Sequence, residues 1–270
     1  MGLALLFVIW LITLLSSYFF VVKTWWFPAA SGAAHAAAIN SQMVYTFVGM
    51  GAIFIVAQLG LGWVVWKYRD RSGATVGYSH GNTTLEVVWT TLTAVLFLGL
   101  GIAGADTWAQ NRFQGASAGA MQVEVTGVQF AWYFRYPGPD GKFGKIDPTK
   151  ADASLGSEAA LGLDENDPDG RDDIVTQTLF LPAGKEVETI LRTQDVIHNF
   201  NVPGLWVKQD LVPGLMTRLH FTPTQPGRYE LACAELCGLG HYRMRAFVEV
   251  QSEEEFSAGQ KQRLADKQAE

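Results

Sequence analysis

Three long apolar stretches dominate the N-terminal part of this 270-residue chain. They cover residues 3–22, 44–66 and 86–105, and the first contains no charged side chain. Twenty helical residues at about 1.5 Å each reach about 30 Å, the thickness of the hydrocarbon core of a bilayer. The pattern therefore predicts three transmembrane helices. A cleaved export signal is the alternative for the first stretch, but no basic segment precedes its apolar run, which favours a retained helix.

Basic residues predict the orientation of these helices. Lys67, Arg69 and Arg71 follow the second stretch and form the densest basic cluster beside the membrane. Cytoplasmic loops carry such clusters, so the segment after the third helix is expected outside the cytoplasm. We therefore expect a multi-pass protein of a bacterial inner membrane with a periplasmic globular part. An extra helix and a periplasmic loop occupy 1–43, and a two-helix hairpin occupies 44–108.

From Met121 onward the apolar positions alternate instead of following a helical period. The run Met121 to Val128 alternates as a half-buried strand does, and six further short runs follow between Pro/Gly turns. These runs are 174–181, 186–192, 196–202, 216–222, 228–233 and 243–250. They predict an antiparallel β-sandwich. We expect it to occupy 109–250, with an acidic surface loop inserted at 137–173, and to be followed by a polar tail at 251–270.

Charge is distributed unevenly along the chain. Residues 107–270 hold 23 acidic and 16 basic side chains, whereas residues 1–106 hold three acidic and four basic ones. Six of the acids lie between Asp164 and Asp173. No basic stripe could follow a phosphate backbone, so we expect no nucleic acid partner. The acidic part favours a basic partner, and the acidic loop is expected to help attract it.

Both cysteines lie in one short stretch that also holds a histidine and a methionine. It reads Cys233-Ala-Glu-Leu-Cys-Gly-Leu-Gly-His241-Tyr-Arg-Met244. Thiolate, imidazole and thioether are soft or borderline ligands, which favour copper, zinc or iron–sulfur over magnesium or calcium. A further ligand is expected from His198, which lies in a hydrophobic, strand-like run. The stretch therefore predicts a metal site.

Several kinds of site fit these residues. A disulfide would need neither the histidines nor the methionine. Two cysteines and two histidines suit a structural zinc ion, whereas a mononuclear blue-copper site needs only one cysteine. Two thiolates can instead bridge two copper ions, each with one histidine. The thioether of Met244 and the backbone carbonyl of Glu235 would then be weak ligands at the two ends.

The pattern Cys-x-Glu-x-Cys-x-x-x-His-x-x-Met, with Asp-Val-Ile-His upstream, resembles subunit II of the haem–copper cytochrome c oxidases. The resemblance covers about residues 44–250. It implies an α+β membrane protein in which a helix hairpin precedes a cupredoxin-like antiparallel Greek-key β-sandwich. The family usually has two spans, so the first helix is an addition. The resemblance also implies a dinuclear copper A centre, with two copper ions held by His198, Cys233, Glu235, Cys237, His241 and Met244.

The resemblance implies roles for further residues. The family's glutamate binds copper through its carbonyl and magnesium at the subunit I interface through its carboxylate, which assigns both to Glu235. Glu86 matches a glutamate near the entrance of a proton path, although an acid at a helix start is also stabilising by itself. Phe130 stands where the family usually has a surface tryptophan that receives electrons, and Trp132 keeps the next aromatic position. Packing within a strand is the alternative for both rings.

The resemblance implies an oxidoreductase and translocase subunit that breaks no substrate bond itself. It would accept electrons from a soluble or tethered cytochrome c and relay them to haem in subunit I. Oxygen is reduced to water there, coupled to proton translocation. Its partners would be subunit I, the other oxidase subunits, membrane lipid and, as a further candidate, a respiratory supercomplex. The alternatives are a membrane-anchored copper-delivery protein and a zinc-stapled structural subunit.

Overall fold

The computed structural model describes residues 2–23, 32–75, 77–78, 80–164 and 166–269. The chain divides into two compact units. The first is helical and ends at Ala109. The second is built on a β-sandwich, begins at Gln110 and also includes the described residues 32–37.

Three long helices account for most of the first unit. They are α1 Gly2–Lys23, α2 Ala36–Lys67 and α3 Thr83–Arg112. Each is long and apolar enough to cross a membrane, as predicted. Both α2 and α3 extend beyond the predicted stretches, because polar turns continue the helices past their apolar centres. Residues 24–31 of the predicted first loop lie outside the described residues.

Polar side chains link the three helices in sequence. The indole Nε1 of Trp10 in α1 donates to the carbonyl of Leu59 in α2 over 3.0 Å. The amide Nε2 of Gln42 in α2 donates to the carbonyl of Leu100 in α3, also over 3.0 Å. Such bonds hold apolar helices together where burial of apolar surface contributes little. The central helix α2 is therefore bonded to α1 on one side and to α3 on the other.

Ten strands form the second unit. They are β1 Met121–Val128, β2 Ala131–Tyr136, β3 Ile174–Thr176, β4 Thr178–Pro182, β5 Val187–Thr193, β6 His198–Val202, β7 Val207–Leu211, β8 Thr217–Phe221, β9 Gly227–Cys233 and β10 Arg245–Gln251. They make two five-stranded sheets, in the orders β3-β2-β1-β5-β8 and β4-β10-β9-β6-β7. One continuous apolar core contains residues of both sheets. The predicted two-sheet sandwich is therefore present.

The sandwich is mixed, whereas the sequence predicts an antiparallel one. The pairs β1–β5 and β10–β4 are parallel. Chain neighbours joined by a tight turn pair antiparallel, as β1 and β2 do. The parallel partners are instead distant in sequence and are reached by crossing between the sheets. Local alternation carries no information about such pairings.

The hydrophobic pattern of the sequence does not predict strands β2 and β7. All but the first residue of β2 are fully buried, so its aromatic run shows no alternation. In β7 only Val207 and Leu211 are buried, and three polar residues separate them. Trp206 precedes β7 with a φ of 54°, a left-handed conformation at the junction.

The insertion between β2 and β3 is anchored rather than fully solvated. It contains the short helix α4 Ser157–Leu161 and the 3₁₀ turns Pro148–Lys150, Ala153–Leu155 and Pro168–Gly170. Ala160 and Leu161 pack with the buried ring of Tyr133. Two further 3₁₀ turns, Pro203–Leu205 and His241–Arg243, lie later in the chain.

A buried ion-pair network ties this insertion to the first sheet. The guanidinium of Arg135 pairs with the carboxylate of Glu124 and, over 2.8 Å, with that of Asp173. Arg192 pairs with Glu124 over 3.0 Å, and the amide of Gly144 donates to Asp173 over 2.9 Å. Removing charges from water is costly unless each is paired, which these groups satisfy. Asp173, one of the six acids expected in a solvated loop, is fully buried.

The polar tail forms one helix, α5 Glu253–Ala269. The Ser252 hydroxyl accepts from the Glu255 amide, and the Glu255 carboxylate accepts from the Ser252 amide, a reciprocal cap that starts the helix. Phe256 and Leu264 then pack on the sandwich core. This packing explains why the helix continues over 17 residues of a polar segment.

Candidate metal centre

The predicted ligand residues meet at one end of the second sheet. β9 ends at Cys233, β6 begins at His198, and Phe200 of β6 pairs with Cys233. The chain then loops from Cys233 through the 3₁₀ turn at His241 to β10. Backbone pairing between two strands far apart in sequence thus brings the upstream histidine beside the cysteine loop.

Glycines shape this loop in two different ways. Gly238 has a φ of +134°, which a residue with a side chain rarely adopts. Gly240 has an ordinary φ, but a Cβ there would lie 2.3 Å from the ring of Phe130. The first glycine therefore allows the turn, and the second makes room for an aromatic ring against the loop.

The two sulfurs lie at the centre of the donor atoms. Cys233 Sγ and Cys237 Sγ are 3.8 Å apart and not bonded to each other. Cys233 Sγ lies 3.9 Å from His198 Nδ1 and 3.1 Å from the carbonyl oxygen of Glu235. Cys237 Sγ lies 3.6 Å from the Nδ1 of His241 and 3.6 Å from the Met244 sulfur. Each sulfur therefore has one imidazole and one weaker donor beside it.

This donor set fits the predicted dinuclear copper centre. His198, Cys233 and Cys237 are buried and form the one group of three ligand side chains found within 4.8 Å of one another among the described residues. His241 and Met244 join it through Cys237. Two thiolates, two imidazoles and a thioether suit copper, and a lone zinc ion would leave the thioether and the carbonyl unused.

The two thiols differ in acidity. Burial is the largest single influence on Cys233 and opposes its ionisation, but the hydrogen bonds with His198, His241 and the backbone of Asn199 and Glu235 together outweigh it, and the pKa lies below the usual value. Burial and the negative charge of Cys233 together raise the pKa of Cys237. One sulfur therefore ionises readily while the other keeps its proton. A bound metal cation would favour the thiolate form of both.

Asp195 orients His198, and the sequence analysis assigns it no role. Its Oδ1 lies 2.8 Å from His198 Nε2, so Nε2 donates to the carboxylate and Nδ1 is the nitrogen that faces the sulfurs. The ring also packs on Gly127, where an added Cβ would lie 3.0 Å from it. The Asp-Val-Ile-His spacing is the sequence signal that could have identified Asp195.

The two predicted electron-entrance residues contact different segments of the site. Phe130 is partly buried and covers Gly240 in the loop. Trp132 is only 2% exposed, and its ring lies edge-on to His198 with centroids 6.1 Å apart. Of the two rings, only Phe130 therefore has surface that a partner could touch.

The remaining predicted residues are exposed. Glu235 contributes its carbonyl to the donor cluster, while the residue itself is exposed. Glu86 lies in the first turn of α3, where the Asn82 side chain accepts from the Leu85 amide. Neither carboxylate belongs to a metal-binding group of three among the described residues.

Comparison with known proteins identifies the family. The family described as "Cytochrome C oxidase subunit II, periplasmic domain" matches residues 121–251. An alternative cytochrome c oxidase subunit 2 of Bradyrhizobium diazoefficiens is 35% identical over 236 residues, covering 87% of this chain and 82% of that protein. A cytochrome c oxidase subunit 2 of Cereibacter sphaeroides is 28% identical over 227 residues, covering 79% and 72%.

A solved structure is also similar. The periplasmic domain of subunit II of the cytochrome oxidase of Bradyrhizobium japonicum is 25% identical, with a TM-score of 0.41, and covers 57% of this chain and 99% of that one. The 35% identity to the Bradyrhizobium diazoefficiens subunit 2, over 87% of this chain and 82% of that protein, shows the family. The chain belongs to the cytochrome c oxidase subunit II family.

Proposed function

We propose that this chain is the copper-bearing subunit of a respiratory terminal oxidase, and that it relays electrons from a cytochrome c to haem in subunit I. The observation that carries the proposal is the pair of sulfurs 3.8 Å apart, each flanked by an imidazole nitrogen. A dinuclear copper centre held there supplies one-electron acceptance and donation. The residues that would hold it are His198, Cys233, Glu235, Cys237, His241 and Met244.

The protein contributes by holding these donor atoms rigidly and by excluding water from them. His198, Cys237 and Met244 are at most 3% exposed. The loop that carries Cys237 and Met244 is fixed at both ends by strands. Hydrogen bonds such as that from the Cys233 amide to the Met244 carbonyl, over 3.0 Å, also fix it. Rigid, buried ligands keep the geometry change on electron gain small, which a fast relay requires. Burial also argues against a copper-delivery protein, which needs an exposed, exchangeable site.

The proposal extends to partners and location. Three apolar helices fit an anchor in the bacterial inner membrane, with the sandwich in the periplasm. Subunit I would receive the electrons and reduce oxygen to water with proton translocation, beside the other oxidase subunits, lipid and, as a further candidate, a supercomplex. Phe130 is the proposed contact for the donor, and Trp132 is the proposed aromatic residue beside His198. Glu235 would reach magnesium at the interface with subunit I, and Glu86 would lie at a proton-path entrance.

A kinetic experiment tests the relay. The copper-loaded full chain in detergent is mixed anaerobically with a reduced c-type cytochrome in a stopped-flow instrument. Oxidation of the cytochrome should coincide with loss of the copper absorption, one electron per chain. Bound copper that takes no electron would contradict the relay, and copper lost at once to a weak chelator would favour delivery. A bound zinc ion in place of copper would favour a structural subunit that zinc stabilises.

A further inference from the structure

The turn between β1 and β2 is hydrogen-bonded to both segments that carry the proposed copper ligands. The backbone amide of Gln129 donates to the Oδ2 of Asp195 over 2.6 Å, across 66 residues of sequence. Its side-chain Nε2 donates to the backbone carbonyl of Cys237 over 2.6 Å, across 108 residues. One residue outside the ligand motif thus contacts the His198 side and the cysteine loop together.

The Asp195 carboxylate is fully engaged in this arrangement. Its Oδ1 accepts from the Val196 amide over 2.7 Å and lies 2.8 Å from His198 Nε2, while Oδ2 accepts from Gln129. A carboxylate held by two backbone donors is fixed in direction, so the imidazole that it contacts is fixed as well. The Gln129 amide therefore acts on the direction of the His198 ring through Asp195.

The Gln129 side chain acts on the other segment. Cys237 is followed by Gly238 and, two residues later, by Gly240, so the loop has little side-chain packing of its own there. The bond from Gln129 fixes the Cys237 carbonyl and hence the direction of its Cα–Cβ bond. The next residue, Phe130, fills the space over Gly240. The turn is thus a template against which the cysteine loop is held.

We propose that Gln129 and Asp195 form a positioning clamp, which sets the relative placement of His198 and Cys237 and thereby the geometry of the metal centre. Neither residue is a ligand in this assignment. The inference rests on the proposed copper function and adds to it the residues that keep two ligand segments in register. Loss of hydrogen bonds one step behind a metal ligand typically costs roughly 10- to 100-fold in metal affinity.

Gln129→Leu tests the side-chain arm, because it removes the donor while keeping the backbone amide. Gln122→Leu is the matched control, since Gln122 lies on strand β1, which leads into the turn, and donates to the Glu188 carboxylate over 2.9 Å at the surface. Copper affinity is measured on the full chain in detergent by chelator competition. Electron paramagnetic resonance of the copper-loaded chain and thermal unfolding of the metal-free chain accompany it.

We expect Gln129→Leu to weaken copper binding about tenfold and to alter the copper hyperfine pattern. Gln122→Leu should do neither, and the two metal-free variants should unfold at matching temperatures. Copper affinity and hyperfine pattern of Gln129→Leu equal to those of the control would overturn the clamp. So would a loss of affinity matched by an equal loss of metal-free stability, because the residue would then be merely structural.

A double-mutant cycle with Asp195→Asn tests whether the two residues act as one unit. If they do, the double variant should lose less affinity than the product of the two single losses. If the affinity loss of the double variant equals the product of the two single losses, the residues act independently, which would contradict a single clamp. The wild-type spectrum is recorded first, because a wild type without a two-copper signature overturns the function and the clamp with it. If the wild type shows the two-copper signature and the variants keep its copper affinity and spectrum, only the clamp is overturned.

Discussion

The loop of 233–244 and the insertion of 137–173 are both irregular segments on one sandwich, yet only the first is built to hold a metal. The insertion carries the denser set of carboxylates, but the most deeply buried of them, Asp173, is already paired with Arg135. In the loop, the sulfurs of Cys233 and Cys237 face imidazoles and a thioether, and no Lys or Arg side chain among the described residues is bonded to either of them. The comparison shows that a metal site requires converging donors without a protein counter-ion, and that acidity alone does not produce one.

The largest expected effect comes from removing one sulfur. Cys237→Ser replaces a soft bridging donor by a hard hydroxyl, so the donor set can no longer hold two copper ions in one unit. We expect loss of the two-copper signal and a fall in oxidase turnover of at least about 100-fold, in line with loss of an essential relay. Metal analysis and oxygen uptake on the purified complex measure this. Retention of the two-copper signal in the serine variant would contradict the assignment of the bridge.

The next effect concerns the network under the insertion. Arg135→Met leaves the buried carboxylate of Asp173 without its ion-pair partner and leaves Glu124 with Arg192 alone, which costs about 3–5 kcal/mol of unfolding free energy. Chemical denaturation of the full chain in detergent measures it. Arg218→Met is the control, because this half-exposed surface pair with Glu188 is worth at most about 1 kcal/mol. Equal losses in the two variants would show that the network is not a buried one.

The same comparison predicts a pH dependence at Asp173. Burial raises its pKa to about 6, against the opposing hydrogen bond from Gly144 and the charge of Arg135. The folded state then holds a proton more tightly than the unfolded state, so ionisation costs stability as pH rises from about 4 through 6. Relative to Asp173→Asn, the wild type should therefore lose stability across that window, as thermal unfolding would show. Asp169→Asn, at the exposed end of the insertion, should leave the wild-type pH profile unchanged.

The smallest expected effect concerns attraction of a basic donor. The structure buries Asp167 and Asp173, so fewer of the six acids can act at the surface than the sequence suggests. Replacing Asp164 and Asp169 by Asn should slow association with a basic cytochrome by about twofold at low salt, and the difference should vanish at high salt. Stopped-flow rates at two ionic strengths measure this. If the association rate at low salt is unchanged, the insertion does not contribute to attraction of the donor.

The sequence predicts what depends on local pattern. The apolar runs locate the three helices, alternation locates most strands, and the spacing of Cys233, Cys237, His241 and Met244 identifies the donors. The parallel pairing of β1 with β5 is not predictable this way, because it depends on how distant segments cross between sheets. The contacts of Gln129 are equally hidden, since a glutamine in a turn has no pattern that points to a carbonyl 108 residues away.

The burial of Asp173 is a further feature that local pattern misrepresents. A run of acids with Pro and Gly is typical of a solvated loop, and most of the described insertion is indeed at least partly exposed. Asp173 is buried instead, because Arg135 in strand β2 provides a buried counter-charge for its carboxylate. Only the fold brings the two together, because 38 residues separate them.

Electron paramagnetic resonance of the copper-loaded full chain tests the central claim most directly. If the two sulfurs bridge a dinuclear centre, metal analysis should give two copper ions per chain. The spectrum should then show one unpaired electron with hyperfine coupling to two equivalent copper nuclei. A spectrum from a single copper nucleus, or a chain that binds one zinc ion in preference to copper, would contradict the account.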